Sequence, residues 1–83
     1  MNAVANPKLS NPDGVKQARL ELLRDAIFEQ LGFMIHRAEL ARTFADLSDD
    51  AGLTYSLKCM VAHVRAAAQC ANDLTALKNG GAE

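Results

Sequence analysis

The sequence predicts an all-α protein: an antiparallel two-helix hairpin that dimerises into a four-helix bundle. Three observations predict it. Apolar residues recur at alternating spacings of three and four in two separate stretches, as heptads require. A short segment, Leu47-Ser48-Asp49-Asp50-Ala51-Gly52, separates the stretches, and a short connection makes consecutive helices antiparallel neighbours. Each stretch also carries a second apolar row, more than one partner helix can cover.

Residues 1–10 are polar, contain Pro7 and show no periodicity, so they read as a flexible N-terminal arm. The hairpin is expected over residues 11–79. Its first helix, about 12–47, opens on Asn11-Pro12-Asp13: Asn can cap, Pro suits the first helical position, and Asp complements the positive helix end. One stripe of this helix runs Leu20, Leu23, Ile27, Leu31, Met34, Ala38, Ala41, Ala45, with Phe28 and Ile35 widening it. A second runs Leu22, Ala26, Phe33, Leu40, Phe44, Leu47, about 120° around the helix. Gly32 interrupts neither stripe and reads as a point of close approach for another helix.

The turn segment offers Ser48 as an N-cap, followed by Asp49 and Asp50 in the first turn of a second helix at about 49–78. Here the first stripe is Leu53, Leu57, Met60, Val64, Ala67, Ala71, Leu74, and the second is Cys59, Ala66, Cys70, Leu77. Asn79-Gly80-Gly81 stops the helix behind Lys78, and residues 80–83 form a flexible tail. The first stripes are expected to close the hairpin. The second are expected to face a partner chain through Leu22, Ala26, Phe33, Leu40, Phe44, Cys59, Ala66 and Cys70, so that a charge at Phe33 or Phe44 would disrupt assembly.

Composition narrows the function classes. At 83 residues with a net charge of −1, there is room for one domain and no global charge to draw it to phosphate or acidic lipid. No run approaches the ~18 apolar residues of a membrane span, and the N-terminus lacks the basic and apolar regions of a secretory signal. A cytoplasmic protein is the expectation. Cys59 and Cys70, eleven residues apart on one helix, lie about 16 Å apart along its axis, beyond the reach of a disulfide. Both read as reduced thiols.

Candidate chemistry is sparse. Cys59 and His63 sit one turn apart and could share a soft metal such as zinc, with His36 at a similar height on the other helix. Cysteine on an apolar row is more simply a small hydrophobe, so no metal or cofactor is expected. The same pair is the single nominal nucleophile and base. Nothing nearby supplies a third group or an oxyanion site, and no enzyme is expected. Di-iron bundles need Glu-x-x-His, whereas Glu29 stands seven residues before His36. What remains is a small helical adaptor or regulator, of a size that suits a bacterial or phage-encoded modulator. It would bind an unidentified protein partner through an apolar helix face and self-associate as a homodimer or higher homo-oligomer. The alternative is a dimer that presents a helical face to RNA, in the manner of plasmid copy-control regulators of the Rop type, or a ligand or metal held between subunits.

Overall fold

The computed structural model describes residues 12–80; the expected N-terminal arm, the Asn11 cap and residues 81–83 lie outside it. Helix α1 spans Pro12–Asp46 and helix α2 spans Asp50–Lys78. They pack against each other as a helical hairpin, and both run to within a residue of the predicted bounds.

Three residues make the turn, and their roles differ from the expected ones. The amide of Asp49 donates to the Phe44 carbonyl at 2.8 Å, and that of Ser48 to the Ala45 carbonyl at 3.1 Å. This pair of bonds closes α1 in a Schellman motif, with Ser48 at the left-handed position, φ 58°. Ser48 therefore ends α1 and does not cap α2. The cap is Asp49, whose Oδ1 accepts from the Gly52 amide at 2.9 Å. One residue thus finishes one helix and begins the next, which holds the connection to its minimum length. At the far end Gly80, φ 74°, donates its amide to the Leu77 carbonyl at 3.1 Å and terminates α2.

The seam between the helices is a heptad seam, but its phase is not the predicted one. On α1 the inward residues are Leu20, Leu23, Ile27, Gln30, Met34, Arg37, Ala41 and Phe44; on α2 they are Leu53, Ser56, Met60, His63, Ala67, Cys70, Leu74 and Leu77. Each set alternates spacings of three and four, and every member is buried or half-buried. Leu31, Ala45, Leu57, Val64 and Ala71, expected in the hairpin core, are exposed. Phe44 and Cys70, expected to face a partner chain, lie in the seam. Each helix has turned by roughly half the width of its apolar arc, toward the second stripe.

The reason for the turn is that polar residues close the seam by pairing. His63 Nδ1 donates to Gln30 Oε1 at 2.8 Å, and Phe33 stacks beside the imidazole with ring centroids 5.3 Å apart. The Arg37 guanidinium lies over the Tyr55 ring, 5.4 Å from its centroid. A reading by apolarity alone passes over Gln30, Arg37 and His63 at mid-seam, and over Ser56 nearer the turn, yet all four lie in the seam. Phase is further held at the turn, where the Phe44 ring fills the space above Gly52.

The hairpin is one layer thick. Its backbone measures 61 × 29 × 12 Å, with a radius of gyration of 18.8 Å, against about 12 Å for a compact chain of this length. Among the described residues only Leu20, Ala41, Ala67 and Ser56 are buried. Both broad faces of the plate meet solvent.

A candidate protein-docking face

Heptad geometry sorts what the seam leaves out. In an antiparallel pair, the positions flanking each seam fall on two sides of the plate, with like positions of the two helices on the same side. One side is defined by contacts already described: Phe33 against His63, Tyr55 beneath Arg37. Ala26, Leu40, Cys59 and Ala66 lie along this side and are half-buried within the single chain. Phe33 and Tyr55 themselves stay exposed on this side, and Leu22 and Leu47 sit at its margin, well exposed.

The opposite side is apolar and open. On α1 it carries Phe28, Leu31 and Ile35, on α2 Leu57, Val61 and Val64, and all six are exposed; Phe28 keeps 80% of its surface in solvent. Ala38 continues the row on α1, and Ala68 and Ala71 continue it on α2. The spacings are again those of a heptad: 28, 31, 35, 38 on one helix and 57, 61, 64, 68, 71 on the other. This second seam stands roughly 100° from the first on each helix, the angle by which a helix in a four-helix bundle meets two neighbours.

Height along the plate matches between the two rows. Gln30 meets His63, Arg37 meets Tyr55 and Phe44 meets Gly52. By that register Leu31 stands level with Val64, Ile35 with Val61, and Ala38 with Leu57. The six large side chains therefore form one patch at mid-length, not two separate ones. Contiguous apolar patches of this kind on soluble proteins mark interaction sites. Of the residues expected to face a partner, none belongs to this patch. Leu31, Leu57 and Val64 are expected in the first stripes, Phe28 and Ile35 widen one of them, and Val61 falls in neither stripe, since apolarity alone does not set the phase of a wide arc.

The metal candidates are separated. His63 is held in the seam by Gln30, Cys59 is half-buried beside it, and His36 lies exposed on the solvent side of α1. Among the described residues no three His, Cys, Asp or Glu side chains converge as a metal site would require. Both cysteines are free thiols. A depression lined by Glu39, Arg42, Thr43 and Asp46 follows the outer surface of α1 near the turn and is open to solvent. No described helix is long and apolar enough to cross a membrane.

No protein-family model, curated protein or solved structure matches the chain.

Proposed function

We propose that the chain is a small, non-enzymatic helical interaction module, an adaptor or regulator that works by binding protein through the face of Phe28, Leu31, Ile35, Leu57, Val61 and Val64, and that self-associates there into a four-helix bundle. One observation carries the reading. A plate one helix thick presents a second heptad seam, level on both helices, with no described residue over it. Helix-in-groove and bundle interfaces use this pattern of anchors. The free thiols agree with a cytoplasmic setting. Binding of protein is favoured over binding of RNA because the face is apolar, while phosphate recognition needs a basic one.

Light scattering on the purified chain at micromolar concentration tests this. The wild type is expected to run as a dimer. Leu31→Glu and Val64→Glu should shift it to monomer, with the helical circular-dichroism signal largely kept. Leu22→Glu, on the opposite side of the plate and 68% exposed, should leave the dimer intact. A wild type that is a well-folded monomer sinks the self-association, and equal effects from Leu22→Glu and Leu31→Glu sink the choice of face.

A further inference from the structure

The open face has borders of opposite charge. On the edge of α1 that points away from α2, Asp25, Glu39 and Asp46 follow one another at multiples of seven residues, interrupted by Gly32. The corresponding edge of α2 carries Lys58 and Arg65, also seven apart. All five side chains are exposed. So are Glu21, Arg24 and Arg42, which continue the open row of α1 itself on either side of the apolar patch and leave the outer edges as the segregated positions. Each helix is close to neutral as a whole, so the segregation emerges only once the seam fixes which residues point outward.

We propose that the occupant of the open face is a second copy of this chain, related by a two-fold axis parallel to the helices, so that α1 of each copy packs on α2 of the other and both turns lie at one end of the bundle. The inference rests on the docking-face reading above and adds the partner's orientation to it. Two face-to-face arrangements satisfy two-fold symmetry. With the axis along the helices, the acidic edge of each copy lies beside the basic edge of the other, in the flanking positions where charged residues set pairing in coiled coils. With the axis across the helices and in the plane of the interface, α1 meets α1 and α2 meets α2. Acid then lies against acid and base against base. Both arrangements keep neighbouring helices antiparallel, so helix dipoles do not choose between them. The charged edges do, because like charges juxtaposed across an interface select against a pairing.

Packing height agrees. Rotation about an axis parallel to the helices leaves height unchanged, so the register of the hairpin carries over to the new contact. Ile35 then meets the partner's Val61, and Leu31 meets the partner's Val64. Phe28, the largest exposed side chain of the patch, meets the partner's Ala68, large against small as interdigitating layers require.

Two measurements on the full-length chain test the orientation. The first is the dimer dissociation constant of Lys58→Glu/Arg65→Glu by analytical ultracentrifugation. With the two-fold along the helices, every acid–base border becomes acid–acid, and dissociation should strengthen by at least about tenfold. Adding Asp25→Lys and Glu39→Lys should restore wild-type affinity. In the crossed arrangement the first pair of changes merely exchanges one like-charge border for another, so an unchanged constant overturns the proposal, as does failure of the added pair to rescue. The second is the distance between spin labels at Leu47→Cys in a Cys59→Ala/Cys70→Ala background. It should fall below about 35 Å with the turns together, and above about 45 Å with the turns at opposite ends, from a rise of ~1.5 Å per residue. The long distance in an intact dimer overturns the orientation alone, whereas a wild type that never dimerises removes the reading beneath it.

Discussion

Ser56 is the residue where the seam is most demanding. It is fully buried, 0% exposed, and its hydroxyl has no hydrogen-bond partner. An unpartnered buried hydroxyl costs about 1–3 kcal/mol of desolvation, and serine is also a poorer helix former than alanine. What Ser56 contributes is size: with Ala41 and Gly52 it lets the two helices approach closely near the turn. Ser56→Ala keeps that size and removes the orphaned group, so it should raise stability by about 1 kcal/mol or more, read as a higher urea midpoint at unchanged slope. A lower midpoint would mean that the hydroxyl is satisfied in solution. His63 and Gln30 show the other outcome for polar groups in the seam, since each satisfies the other at 2.8 Å. A lone polar residue in a heptad core costs stability, whereas a matched pair fixes register.

At the level of elements, the two helices and their ends were legible because their signals are local. Pro12 and Asp13 at the start, Gly80 behind Lys78 and the heptad spacing each act within a turn or two of chain. The turn was read one residue out of place, with Ser48 as the cap. Both Ser48 and Asp49 are good caps, and which of them serves depends on where the Schellman bonds of α1 close. The inward face was the least legible. Its phase is set by Gln30 against His63, by Arg37 over Tyr55 and by Phe44 over Gly52, contacts that exist only once both helices are in place. The candidate face inherits that difficulty, because Leu31, Leu57 and Val64 fit a heptad in either phase. The glycines separate the two kinds of position. A Cβ at Gly52 would come within 2.6 Å of the Phe44 ring, whereas one at Gly32 would meet nothing within 4 Å. Gly32 is therefore not a point of close approach within the hairpin. Gly32→Ala should gain about 1 kcal/mol from helix propensity. Gly52→Ala should lose about 1 kcal/mol net, as overpacking outweighs the same propensity. Thermal midpoints moving in opposite directions would bear this out, and a rise in both would show that Phe44 can swing clear.

At the scale of the whole molecule, thickness is the deciding property. A single layer 12 Å deep gives each helix one protein neighbour, and a chain this small already buries a modest share of its surface even when compact. The apolar side chains left outside the seam are too many and too ordered in spacing to be scattered surface hydrophobes, which would need no explanation. A second layer turns the plate into a bundle in which each helix has two neighbours, and Phe28, Leu31, Ile35, Leu57, Val61 and Val64 become core. Association would then add to the stability of the hairpin, and the thermal midpoint must depend on chain concentration. With an unfolding enthalpy near 0.7 kcal/mol per residue summed over two chains, the midpoint should rise by about 5 °C for each tenfold increase in concentration. Circular-dichroism melts from about 1 to 100 μM would measure it, and Leu31→Glu should flatten the dependence as well as lower the midpoint. A midpoint that does not move with concentration would mean that the single layer holds itself together, leaving the open face with no part in stability.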